Sequence, residues 1–279
     1  MGLFGSFNFL SPVVVDCFSG SGTWNCPVGA KRIIVVSIGA GGGGGGGITP
    51  VNAFCSCELA TGAGGCGGGG ISYSQLIGSE IPSSVCVVVG SGGTGGVIAS
   101  PGSITGCNGL NGGSSIFCKI GSPICAGGGA GGEGGKTQIA FNTVHTASGG
   151  AGGSGNFRNG GQGGCGYAFY SGACTDVNGR NGTFPTSCGG RPGGGGAGFR
   201  CPTTDGTKGA SIPGETLKIA GVSICIGSSG EGGDKNVCCA GNGVNYAAGG
   251  GGGASPGNFL VSCGGKGSQG IVFVVSSFS

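Results

Sequence analysis

Seven consecutive glycines, Gly41 to Gly47, follow directly on a β-branched string, and comparable tracts recur at Gly67 to Gly70, Gly193 to Gly196 and Gly249 to Gly253. Glycine brings no side chain to bury and loses more backbone freedom on ordering than any other residue. A chain with 79 glycines in 279 residues therefore cannot rest on an ordinary oily core. It is either disordered or held by backbone-to-backbone contact. Disordered chains combine high charge with low hydropathy, whereas this one carries only 12 Lys or Arg and 9 Asp or Glu, and its mean hydropathy is +0.28. Packed backbone is the reading we adopt. Collagen is excluded, because no strict Gly-X-Y period persists and only 11 prolines occur.

Short β-branched runs bounded by Gly, Pro or Ser read as strands: Val13 to Val15, Arg32 to Ile38, Val85 to Val89, Ser114 to Lys119, Leu217 to Ile226 and Ile271 to Val275. Helical periodicity is absent. Glycine tracts between such strands can adopt an extended left-handed threefold helix with polyproline-like dihedrals. Such helices lie side by side through N–H to C=O bonds, supplemented by weak Cα–H contacts, so every backbone polar group finds a partner. Asn-Gly steps at Asn108, Asn111, Asn159, Asn178, Asn181 and Asn242 supply turn residues between passes. The expected fold is mostly β and irregular: short strands plus packed polyglycine-II helices in a sandwich, stapled by disulfides and without α-helix. An arm over 1–16 would precede one glycine-rich domain over 17–279.

Seventeen cysteines are a disulfide-like density. The candidates are Cys17, Cys26, Cys55, Cys57, Cys66, Cys86, Cys107, Cys118, Cys125, Cys165, Cys174, Cys188, Cys201, Cys225, Cys238, Cys239 and Cys263, with pairing open; the odd number leaves one free thiol, an intermolecular bond or several reduced residues. No Cys-x-x-Cys pair exists and the one histidine, His145, has no ligand-spaced neighbour, so no metal is expected. The start of the chain lacks a charged, apolar secretory signal, and no stretch of about 20 apolar residues could span a bilayer. Met1 to Ser6 matches the N-myristoylation pattern with Gly2 as acceptor; a plain arm that docks on a partner is the other reading.

Enzymatic motifs are weak. Ala130 to Thr137 comes within one residue of a phosphate-binding loop, a near-miss that glycine abundance makes cheap. His145 has no recognisable nucleophile beside it, and the acids stand singly. No catalytic residue and no cofactor is expected. The twelve Lys and Arg are scattered, which argues against nucleic acid as partner. Asn181-Gly182-Thr183 is a glycosylation sequon. Phe157, Arg158, Tyr167, Phe169 and Tyr170 form an aromatic-rich segment that either stacks on a receptor or sugar or lids the glycine array.

Thr23-Trp24, a Pro27-Val28-Gly29 turn, the strand Arg32 to Ile38 and then Gly39-Ala40 with its glycine run resemble the opening of the glycine-rich domain of phage tail fibres and related viral proteins. Gly67 to Tyr73, Val85 to Gly93, Asn111 to Phe117, Ala126 to Gly129 and Gly267 to Val275 resemble later blocks in the same order. The resemblance spans roughly Cys17 to Ser279. It implies a non-enzymatic virion protein, a fibre or capsid-surface component or adhesin, with host-contacting loops at one end. Its partners would be other virion proteins, copies of itself, or a host receptor or glycan. The cysteines depart from the phage pattern; a large virus of a eukaryotic host with its own thiol-oxidation machinery would reconcile them with the missing signal. An extracellular structural or ice-binding protein is the competing expectation.

Overall fold

A computed structural model describes residues 13–48, 59–97, 105–138, 144–170, 175–176, 179–183, 189–196, 199–200, 204–205, 208–219, 222–233, 239–254 and 263–278. In chain order the strands are β1 (Val13–Phe18), β2 (Gly22–Asn25), β3 (Arg32–Ile38), β4 (Leu59–Ala60), β5 (Ile71–Ile77), β6 (Ser84–Val88), β7 (Ser115–Phe117), β8 (Ile124–Ala126) and β9 (Thr137–Gln138). They continue as β10 (Val144–Ala147), β11 (Gly166–Tyr170), β12 (Thr175–Asp176), β13 (Phe199–Arg200), β14 (Thr204–Asp205), β15 (Glu215–Ile219), β16 (Val222–Ile226) and β17 (Ile271–Ser277). Among the described residues there is no α-helix and one 3-10 turn, Gly78–Glu80. Val and Ile runs become strands because branched side chains pack well on a pleated surface. Leu217 to Ile226, read from sequence as one run, is a hairpin instead: β15 pairs antiparallel with β16, from Glu215 opposite Ile226 to Ile219 opposite Val222.

The central sheet has the order β1-β17-β3-β5, with antiparallel neighbours throughout. Its residues alternate between two cores, as a period of two requires. Ile33, Val35, Leu76, Val272 and Val274 meet Trp24, Val85, Val87, Phe117 and Ile124 from the second sheet, β2-β6-β7-β8. The Trp24 and Phe117 rings lie 5.6 Å apart, and the indole Nε1 donates to Asp16 Oδ2 at 2.9 Å. On the opposite face Ile34, Val36, Ile38, Ile71, Ile271 and Val275 pack against Leu217, Ile224 and Ile226 of the hairpin. Burial on both faces explains why β3 and β17 read as continuous apolar strings.

The glycine tracts leave this sandwich at the ends of its strands and stay buried. Their hydrogen bonds recur with a period of three. From the tract after β3, Gly41 and Gly44 donate to Ser268 and Gly265, Gly42 and Gly45 to Gly67 and Gly64, and Gly43 and Gly46 to Leu110 and Cys107. The same tract accepts from three further segments: Gly93 and Gly96 donate to Gly41 and Gly44, Gly129 and Gly132 to Ala40 and Gly43, and Gly250 and Gly253 to Gly42 and Gly45. Six neighbours thus surround one run. Residues 63–71 repeat the pattern, donating at every third residue to 133/130/127, to 164/161/158 and to 253/250/247. Nearly every amide in these tracts is satisfied without a side chain, which removes the desolvation cost of burying backbone.

A Cβ on Gly43 would fall on the Thr94 carbonyl, and one on Gly68 on the Gly190 carbonyl. Close backbone approach requires glycine at both positions. At the surface of the array the Asn residues of the Asn-Gly steps act differently from the turn role read in sequence. Asn108 Oδ1 accepts from Gly134 and Asn111 Oδ1 from Gly131, both at 2.9 Å; Asn159, Asn181 and Asn242 accept from Gly155, Ala210 and Lys266. A side-chain amide oxygen stands in for the missing outer neighbour's carbonyl. Asn178 lies outside the described residues.

Disulfide staples are not seen among the described residues. Cys17, Cys26, Cys66, Cys86, Cys107, Cys118, Cys125, Cys165, Cys225, Cys239 and Cys263 carry thiols; Cys55, Cys57, Cys174, Cys188, Cys201 and Cys238 lie outside. Cys66 is fully buried inside the array, its thiol against Gly42 O at 2.5 Å and Gly250 O at 3.2 Å. Burial pushes this thiol up to about 12, and backbone contacts with Gly250 and Gly193 offset only part of the effect.

Candidate functional site

Residues 148–165 and 180–183 run along the edge of the array beside the sheet β10-β11-β12. Gln162 and Thr183 exchange two backbone bonds of 3.0 and 2.9 Å, and Arg180 N–H donates to Cys165 O at 2.8 Å. Between these segments opens a groove of about 400 Å³. It is lined by glycines 149, 163 and 164 together with Thr146, Ser148, Gln162, Cys165, Arg180, Asn181 and Thr183. Hydroxyl, amide and guanidinium groups lining such a groove suit a hydroxylated or carboxylated ligand. The groove joins segments distant in sequence, so no local motif announced it; Asn181 and Thr183 of the sequon and the disulfide candidate Cys165 are the members singled out in advance. Asn181 is exposed, with Oδ1 held by Ala210 N–H at 2.7 Å.

Tyr167, Phe169 and Tyr170 lie on β11, next to this groove: Tyr167 pairs with Thr146, Phe169 with Val144 and Asp176, and Tyr170 with Thr175. Phe157 and Arg158 sit elsewhere. Phe157 packs on the hairpin core with its ring 6.4 Å from Tyr73, and the Arg158 guanidinium lies 5.2 Å above the Phe157 ring. Arg158 Nη1 meets Glu215 Oε1 at 3.0 Å, and Arg191 Nη2 meets Glu215 Oε2 at 2.8 Å. Glu215 on β15 therefore ties the hairpin to two edges of the glycine array. Glu215→Ala is expected to cost about 2 kcal/mol by depriving the buried Arg191 of this carboxylate; urea denaturation checks it. The structure thus separates the aromatic-rich segment into a pair packed on the core and a strand beside the groove. Gly2 lies outside the described residues.

The phosphate-loop near-miss is fully committed to the array. The amides of Gly131 and Gly134 donate to Asn111 and Asn108, those of Gly132 and Gly135 to Gly43 and Gly46, that of Glu133 to Ser148, and that of Lys136 to Thr61 Oγ1. A phosphate cradle needs such amides free. Lys136 Nζ pairs with Glu133 Oε2 at 2.8 Å, and this contact, before the Ser148 amide, holds the Glu133 carboxyl below its ordinary value. His145 is half-buried on β10 opposite Ala168. Among the described residues no cluster of His, Cys, Asp or Glu could hold a metal, and no helix is long and apolar enough to cross a membrane.

Among curated proteins no match to the chain is found. The family model of the glycine-rich domain matches residues 16–277, nearly the whole chain, and the chain belongs to that family.

Proposed function

We propose that the protein is a non-enzymatic structural module of a virion, a fibre or capsid-surface component that holds an attachment surface on a rigid glycine scaffold. In this reading the tracts are left-handed polyglycine-II helices, for which the period of three in their bonding partners is the supporting observation. At about 3.1 Å per residue a pass of eight residues would reach roughly 25 Å from the sandwich. Rigidity follows from pairing on six sides, and recognition is left to groups at the array's edge. The resemblance to fibre domains supplies the virion part of the proposal, and the glycine-rich family match supplies the scaffold part. The groove and the adjoining strand with Tyr167 and Tyr170 are the proposed attachment surface, for a receptor or glycan.

Mass spectrometry of purified particles tests the location: the protein is expected among their components, and its absence there sinks the virion reading. Tyr167→Ala with Tyr170→Ala is expected to lower attachment about tenfold or more, as loss of aromatic anchors does at interfaces, with melting unchanged. Loss of folding instead would assign these rings to the scaffold.

A further inference from the structure

The outer face of the second sheet carries three cysteines on three successive strands: Cys86 on β6, Cys118 immediately after β7 and Cys125 on β8. We infer that Cys86 and Cys118 are an oxidisable cross-strand pair, closed to a disulfide by exchange with a low-molecular-weight disulfide of the glutathione class. The register places them. Val88 lies opposite Ile116 and Val87 opposite Phe117, so the next pair is Cys86 opposite Cys118, and the Cys118 amide donates to the Cys86 carbonyl at 3.0 Å. Directly opposite residues project from the same face with Cα atoms about 4.5–5.5 Å apart. That separation falls inside the roughly 4.4–6.8 Å window a disulfide needs. Val85, Val87 and Phe117, the neighbours that alternate with the pair, point into the core, whereas Cys86 is exposed and Cys118 half-buried.

The Cys118 thiol also senses Cys86. The Cys118 thiol is raised first by burial and then by its contact with Cys86, with Cys125 a weaker influence. Cys125 lies opposite Ile116, one diagonal step from Cys118 on the same face. Cys239 and Cys263 also face each other across an isolated parallel bridge, whereas Cys66 is sealed in the array against backbone carbonyls.

The chemistry follows from exposure. The Cys86 thiolate attacks one sulfur of the small disulfide, forming a mixed disulfide and releasing one small thiol, which takes up a proton. Cys118, deprotonated in turn, then attacks the Cys86 sulfur and expels the second small thiol. Two protein thiols lose two electrons and two protons, and one small disulfide becomes two thiols. The chain between the two cysteines contains the array passes at 90–97 and 105–113, so closure would pin the base of that excursion to the sandwich.

Incubating the folded full-length chain with oxidised glutathione, alkylating at intervals and digesting with pepsin at low pH, where exchange stops, tests the inference. A peptide linked through Cys86 and Cys118 is expected on the order of tenfold or more ahead of thiol pairs that the fold does not hold side by side, because the partners are held at high effective concentration. It should persist in Cys125→Ser and vanish in Cys86→Ser. Cys118 linked mainly to Cys125, or both Cys86 and Cys118 still alkylated once other exposed thiols have reacted, would overturn it. Should a variant not fold, the wild-type time course decides alone.

Discussion

Alanine at Gly43 or at Gly68 is expected to destabilise the protein by about 4 kcal/mol each, lowering the melting temperature by roughly 10 °C. The added carbon lands on a backbone carbonyl, Thr94 in one case and Gly190 in the other, and neither can swing aside as a flexible side chain would. Relief requires separating two passes of the array. Gly43 donates to Leu110 and accepts from Gly132, so a local shift also stretches bonds to neighbouring segments. Overpacking ordinarily costs about 1–3 kcal/mol, and the strained hydrogen bonds add about 1 kcal/mol each. Gly20 is the control: nothing lies within 4 Å of its would-be Cβ. Gly20→Ala is expected to change stability by less than about 1 kcal/mol. Equal effects at all three positions, measured by urea denaturation, would contradict a load carried by close backbone contact.

Raising the pH is expected to expose the Cys66 thiol as a second point of dependence. Below about pH 9 this thiol is protonated both folded and unfolded, so it contributes no pH dependence there. Between 9.0 and about 12 the unfolded chain releases the proton while the folded chain keeps it, because a buried thiolate would be desolvated. The unfolded state gains, and stability falls by about a factor of ten in the folding equilibrium for each pH unit. Lysines and tyrosines titrate over the same range. The test is therefore the difference between wild type and Cys66→Ala: the wild-type curve should fall more steeply above pH 9, and parallel curves would place the thiol in contact with water. Maleimide labelling gives an independent check, with Cys66 the slowest of the described thiols until the chain unfolds.

How much of this architecture was readable from sequence varies by element. Arg32 to Ile38 is β3 to the residue, and Ile271 to Val275 falls within β17, because a β-branched run bounded by glycine leaves little else to form. The hairpin break inside Leu217 to Ile226 was missed although the string carries it: exposed Lys218, Ser223 and Cys225 alternate with buried Leu217, Ile224 and Ile226, and Gly221 interrupts the run. The Asn-Gly steps were misread for another reason. Local propensity favours turns there, but the tertiary array offers unpaired amides at its surface, and the side-chain oxygens of Asn108 and Asn111 take them. Of the aromatic-rich segment, the sequence could not say that Phe157 and Arg158 would be engaged by Tyr73 and Glu215 while β11 lies beside a groove.

Composition alone determined that apolar side chains could not hold the whole chain and that glycine backbones would have to meet directly, because residues without side chains have nothing else to bury; the apolar residues present form two cores confined to the sandwich. The order of residues marked some of the strands, β3 and β17 most clearly. Which tract lies beside which was decided only in three dimensions. Gly42 and Gly45 bond to Gly67 and Gly64 rather than to any other glycines because the strands at the ends of both tracts, β3 and β5, are already paired in register. Successive glycines are chemically identical, so a glycine tract carries no code for its partner; the side chains of the flanking sandwich set the alignment, and the backbone of the array follows it.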